Sequence, residues 1–255
     1  MADDDVQTLC EQGQALLMET RYWEAERVLA GVEQRAWQTH DWDTLARVYM
    51  PLQEVRRQRR QRSGEGVVAL HLIAEGPADV IDAGQVVSNY PHGQLLVAGW
   101  GTIEPARRVR ELAAANGLYV ETFLAATYPV GAGRAVVIVP TEDVALPPVD
   151  AATSIDALLK KVPPQCLVLS ENELPAQTRK GNTQTYAEII RMWERLAAPF
   201  LAAADMLVDP VAKIDAYRKA IRVDYAMELA HQKLSDVAKE LDRQRRNART
   251  PGSPA

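Results

Sequence analysis

Three short stretches hold residue types that could bind or transform a small molecule. Gly99-Trp100-Gly101-Thr102 combines two glycines, past which backbone N–H groups can approach an anion closely, with a hydroxyl and the start of a helical pattern. Glu75-Gly76-Pro77 and Ser170-Glu171-Asn172-Glu173 each follow an apolar run and bring carboxylates. In an open α/β sheet, ligands sit at the carboxyl ends of the strands, where all three stretches fall. Glu75, Gly99, Gly101, Thr102 and Glu173 are therefore the candidate ligand-binding residues, for a phosphorylated or otherwise anionic small molecule. The pattern is not the three-glycine dinucleotide fingerprint, because Glu104 occupies the third glycine position, and no Gly-Lys-Ser or Gly-Lys-Thr phosphate loop occurs. Each stretch is also explained without a ligand, as a tight turn or a solvated loop. Gly131-Ala132-Gly133 before Arg134 reads two ways, as a phosphate clamp or as a hairpin turn that needs positive φ.

Other reactive side chains are sparse. The two cysteines, Cys10 and Cys166, are too far apart in sequence to suggest a disulfide framework or a zinc ligand set. His40, His71, His92 and His231 show no metal-ligand spacing, and no serine sits in a Gly-x-Ser-x-Gly elbow. His71 is the odd one, because a histidine within an apolar strand must find a hydrogen-bond partner if buried. No cofactor is expected, and the residues leave open whether the chain is an enzyme.

The elements that would position these residues form a repeating pattern. Val67–Ala74, Leu95–Ala98, Leu118–Thr127, Ala135–Val139 and Cys166–Leu169 are apolar runs of strand length. Helical patterns over 78–90 and 102–117 separate the first three, as in parallel strand–helix–strand units. Leu118–Thr127 carries Tyr119, Glu121 and Thr122, which suggests an edge or half-exposed strand. The loop before Ala135 is too short for a helical crossover, so an antiparallel hairpin is expected there. The fold class is α/β, a mostly parallel, partly mixed sheet of about five strands flanked by helical segments. The expected organisation is a helical segment over 1–63, the α/β core over 64–182, a second helical segment over 183–246 that packs with the first, and a flexible tail over 247–255. Thr185-x-x-Glu188 fits a capping box, Pro199 should kink or split its helix, and 211–246 is consistent with one helix or two.

Arg56, Arg57, Arg59, Arg60 and Arg62 crowd the end of the first helical segment. A solvated last turn that suits the helix dipole is the expectation, against a phosphate-binding stripe. The net charge of −5 argues against nucleic acid as a partner. No window approaches a membrane span, and the acidic start Met-Ala-Asp-Asp-Asp lacks the pattern of a signal peptide, so a cytoplasmic protein is expected.

Gly13 and Ala25, twelve positions apart with Ala25 inside Tyr22-Trp23-Glu24-Ala25, resemble one tetratricopeptide-type repeat. Tyr217-Arg218-Lys219-Ala220-Ile221 followed by Ala230 and Leu234 is similar to the exit of one repeat and the entry of the next. Trp37 stands where a proline often sits, and there is no third tandem copy. The resemblance covers the terminal segments only. It implies helical hairpins that pack on one another and bind a protein partner. A non-catalytic interaction or scaffold protein is the leading expectation, with Trp23, Trp37, Trp42 and Trp193 as aromatic anchors if exposed. An α/β domain that binds or acts on an anionic small molecule is the alternative.

Overall fold

The computed structural model describes residues 3–151, 154–180 and 182–249. Thr153, which the sequence offers with Ser154 as a start for the short helix there, Gly181 in the polar connection and the tail from Thr250 onward lie outside them. The chain divides into two compact units, Met1–Arg59 with Ala198–Ala255, and Arg60–Ala197.

The first unit is helical. It contains α1 (Asp3–Met18), α2 (Tyr22–Thr39), most of α3 (Trp42–Gly64), the end of α7 (Thr183–Met206), α8 (Pro210–Val223) and α9 (Glu228–Arg249). Residues 211–246 thus form parts of two helices, and helical structure continues to Arg249, past the start of the expected tail. At Gly13 the α1–α2 hairpin is so close that an added Cβ would lie 2.5 Å from the Leu29 side chain. Asp209 caps α8 through Ala212 N, with Pro210 in the first turn, where its missing N–H costs nothing. Pro51 and Pro199 lie inside α3 and α7, and both helices run through them as continuous elements. Pro199 is exposed, so water can satisfy the carbonyl it leaves free.

The second unit contains a mixed sheet of β1 (Val67–Ile73), β2 (His92–Trp100), β3 (Tyr119–Val130), β4 (Gly133–Val139) and β5 (Leu167–Ser170), in spatial order β1-β2-β3-β4-β5. The β1–β2 and β2–β3 pairs are parallel, and the β3–β4 and β4–β5 pairs antiparallel. The parallel strands are joined by α4 (Ala83–Asn89) and α5 (Glu104–Ala115), while α6 (Ile155–Leu159) lies between β4 and β5. Strand alternation sends Leu95, Val97, Leu124, Ala126 and Val137 to the face covered by Val86 and Val87 of α4 and by Ala106, Val109 and Ala113 of α5. The opposite face bears Gln94, Leu96, Glu121 and Phe123, and Trp193 of α7 stacks on Phe123 with ring centroids 4.1 Å apart. The outer edge of β1 is partly closed by Thr178, which exchanges two backbone hydrogen bonds with Val68.

Several local expectations are corrected. β3 is the central strand and is buried from Glu121 to Tyr128, not an edge; its buried carboxylate, Glu121, has internal partners, described below. α4 begins at Ala83, because Asp82 caps it through Gln85 N at 2.9 Å, and Pro77 stays outside. The cap of α7 is Asn182, whose Oδ1 accepts from Thr185 N, so Thr185 is already inside the helix. His71 is exposed on β1, beside an irregularity between Ala69 and Leu72. The arginine run is solvated only in part: Arg57 and Arg62 are exposed, but Arg60 is buried and the Arg56 and Arg59 side chains are mostly so.

Candidate functional site

Where β2 ends, Gly99 lies so near Thr102 and Pro105 that a Cβ would meet both at under 3 Å. Gly101 has φ +64, and a Cβ there would stand 2.2 Å from Val149 Cγ2. Both glycines are required by the turn itself. Gly101 N donates to Thr127 O, and Thr102 Oγ1 accepts from Glu104 N at 3.2 Å. The expected cap thus acts one residue early: the residue flanking α5 is Ile103, which makes no side-chain cap. Pro105, in the first turn, has no N–H to offer. Much of the anion-binding capacity of this helix start is therefore already used.

A cleft of about 550 Å³ opens between the beginnings of α4 and α5, lined by Gly99, Trp100, Thr102, Asp82, Glu104 and Arg108 among others. The sheet order explains why it lies there. Sequential parallel strands put α4 and α5 on one face, so the strand order does not reverse at β2 and no switch-point crevice forms. Its carboxylates are engaged locally. Asp82 caps α4, and Glu104 is held by Arg107 through bonds of 2.7 and 2.9 Å, which keep its carboxyl below the usual range. Asp79, also in the lining, accepts from Glu75 N at 2.6 Å and from Gly76 N at 3.2 Å.

Of the five candidates, Gly99 and Thr102 line this cleft, and Gly101 shapes the turn behind it. Glu75 and Glu173 are not among the lining residues. The Glu75 side chain is 79% exposed and lies 3.8 Å from Arg134. Arg134 is clamped by Glu171 through bonds of 2.8 and 2.7 Å, which lower the Glu171 carboxyl. Glu173 closes a capping box with Ser170, accepting from its N–H at 2.6 Å. The β3–β4 turn is a two-residue hairpin, Val130 opposite Gly133, with Gly131 at φ +57. That is the ligand-free reading of this loop.

No thiol is poised for attack. Burial pushes the Cys166 thiol up to about 11 and also raises that of Cys10. Among the described residues, no group of three or more His, Cys, Asp or Glu could hold a metal, and no helix is long and apolar enough to cross a membrane.

Two buried polar clusters were not singled out from the sequence. In the α/β unit, Arg60 and Ser63 at the end of α3 meet the sheet. Arg60 Nε donates to both Glu121 oxygens at 3.3 and 3.0 Å, and Ser63 Oγ lies 3.1 Å from Glu121 Oε1. Gln94 Nε2 donates to Ser63 Oγ at 2.5 Å, and Gln94 Oε1 accepts from Trp193 Nε1. In the helical unit, Glu26 of α2 binds Arg56 at 2.9 Å and Arg59, while Arg59 lies over the Trp23 ring at 3.4 Å. Glu33 accepts from Tyr49 Oη and from Arg218 Nε, both at 2.6 Å. His231 lies 3.0 Å from Arg56 through Nε2 and 2.8 Å from Met227 O through Nδ1. Arginine can only donate, so this imidazole is neutral with its proton on Nδ1. The available signal was spacing: Glu26 and Glu33 are seven apart on α2, and Arg56, Arg60 and Ser63 recur at helical intervals on α3.

Searches of protein-family models, of curated proteins and of solved structures returned no match to this chain.

Proposed function

We propose that this is a non-catalytic interaction protein of the cytoplasm that binds a protein partner through the faces of its tetratricopeptide-like helical unit. The observation that carries the reading is where exposed apolar side chains stand. Of the eight large apolar side chains exposed among the described residues, Met18, Met50, Met206, Leu207, Val208 and Leu229 belong to the helical unit, while Val80 and Leu159 stand singly in the α/β unit; Met206 and Val208 are 83% and 94% exposed. Met206-Leu207-Val208 is a continuous apolar tripeptide between α7 and α8. Covering such surface is favourable by about 25 cal/mol per Å², and methionine adapts to irregular partners. The tryptophans are not the anchors: Trp42 and Trp193 are buried, and Trp23 and Trp37 are covered by Arg59 and Arg218. Support also comes from the polar candidates, whose charges are engaged with local partners. Free Cys10 and Cys166 suit a reducing compartment. The test compares affinity capture after cross-linking in the source cell, using the tagged full chain and its Met206→Ser/Val208→Ser variant. A partner retained by the first and lost by the second, at equal melting temperature, is expected. Identical capture by both would sink the reading.

A second reading, an α/β unit that binds or acts on an anionic small molecule, draws on the cleft lined by Gly99 and Thr102. Asp79, Asp82 and Glu104 stand there against Arg108, which weakens the case for a phosphate. A thermal-shift screen with nucleotides and sugar phosphates tests it: a raised melting temperature that Thr102→Val abolishes would favour this reading over the first.

A further inference from the structure

We propose that a polar cleft in the helical unit, where α2 ends, α3 begins and α9 ends, receives an acidic segment of a protein partner, with Arg245 as the cation that meets its carboxylates. This rests on the interaction reading and gives the partner its chemistry. The cleft has a volume of about 670 Å³, and Arg35, Arg47 and Arg245 line it together with Asp41, Asp43 and Gln7. The two carboxylates of its described lining are already committed. Asp41 caps α3, accepting from Thr44 N at 3.1 Å. Asp43 is held by Arg47 at 2.9 Å and by Arg246 at 3.1 Å.

Arg245 differs. His40 ends α2 in the left-handed conformation, φ 54 and ψ 37, and its carbonyl accepts from Arg245 Nη1 at 3.2 Å. That partner is neutral, and among the described residues Arg245 has no carboxylate within ion-pair distance. A cationic last turn suits the dipole of α9, but the dipole alone does not require the side chain to lie along a cleft wall. The fork of a guanidinium matches a carboxylate with two parallel hydrogen bonds, and the volume of the cleft leaves room for several side chains. Apolar Val6 and Ala36 in the lining can take the methylene stems of glutamates. A nucleic acid fits less well. Asp41 and Asp43 would face its phosphates, and the described lining residues include no aromatic ring for a base to stack on.

The test is fluorescence anisotropy of labelled hexaglutamate with the full chain, at low and high salt. Saturable binding that weakens with salt is expected, and Arg245→Gln should lower the affinity about tenfold. Arg245 is exposed, so the variant should keep its melting temperature. Arg107→Gln, on α5, should leave binding unchanged. Absence of binding, an unaffected Arg245→Gln variant, or equal binding of a single-stranded DNA of the same charge would each overturn the proposal. If hexaglutamate fails while capture still depends on Met206 and Val208, only the cleft is refuted. If capture is unchanged in the Met206→Ser/Val208→Ser variant while hexaglutamate binds through Arg245, the reading through the apolar helical surface is refuted and the cleft stands by itself.

Discussion

His231 shows how much of this protein's polar chemistry is turned inward. It is fully buried, with the Arg56 guanidinium on one ring nitrogen, a backbone carbonyl on the other, and the Tyr49 ring edge-on at 5.7 Å. Burial, and then the charge of Arg56, push its pKa from 6.5 down to about 3. Between those values the unfolded chain holds the proton and the folded chain does not, so stability rises with pH across that window. The contribution is complete above 6.5 and is lost as pH falls towards 3, an effect on the order of a few kcal/mol. His231→Gln keeps a neutral acceptor for Arg56, so its urea midpoint should fall less steeply between pH 6.5 and pH 4 than that of the parent. Parallel curves would show that the acid sensitivity lies elsewhere. None of this was legible from the sequence, where His231 had only the absence of metal spacing to mark it. Its partner Arg56 is 175 positions away, and the pair exists only once α3 and α9 meet.

The elements were legible where burial is uniform and misread where a polar residue is buried with a partner. β2 and β4 are apolar throughout their cores, and the runs at Leu95–Ala98 and Ala135–Val139 locate both. β3 looked like an edge because Glu121 and Thr122 are polar, yet it lies in the middle of the sheet. The end of α3 reconciles the two, since Arg60 and Ser63 supply from outside the strand what Glu121 needs. A buried ion pair adds little over a well-packed apolar pair, but removing one partner strands the other, at about 3–5 kcal/mol. Glu121→Leu alone should therefore destabilise strongly, and Arg60→Met with Glu121→Leu should recover most of the loss. A double-mutant cycle in urea measures this coupling. Additive losses would mean that the two side chains act separately. The same reasoning bears on the candidate site: Gly99, Gly101 and Thr102 were put forward as ligand-binding residues, with a turn entering a helix as the reading without a ligand, and that turn is present. That the Gly101 N–H would be spent on Thr127 and that Val149 would crowd the turn are long-range facts, which the local spacing does not reveal.

For the whole molecule, the division of the chain makes its own prediction. The α/β unit is one continuous stretch, Arg60–Ala197, whereas the helical unit is assembled from the two stretches on either side of it. The stretch takes in the last turn of α3 and the first half of α7, more than the 64–182 span suggested by the strands and their crossovers alone. Those additions cover the second face of the sheet: Arg60 and Ser63 satisfy Glu121 and Gln94, and Trp193 covers Phe123 and donates to Gln94. A fragment of residues 60–197 should therefore fold cooperatively, with the near-ultraviolet circular dichroism of an ordered Trp193 and one sigmoidal urea transition. A fragment of residues 66–182 keeps every strand, α4, α5 and α6 but loses those partners. It opens that face to water, so Glu121 and Gln94 lose their internal partners and Phe123 loses the ring that covers it, a loss of burial large against the marginal stability of a domain. It should show secondary structure without a cooperative transition, or aggregate through the exposed face. Equal stability of the two fragments would mean that the sheet and its crossover helices suffice, and that the polar cluster at the end of α3 contributes nothing the unit needs.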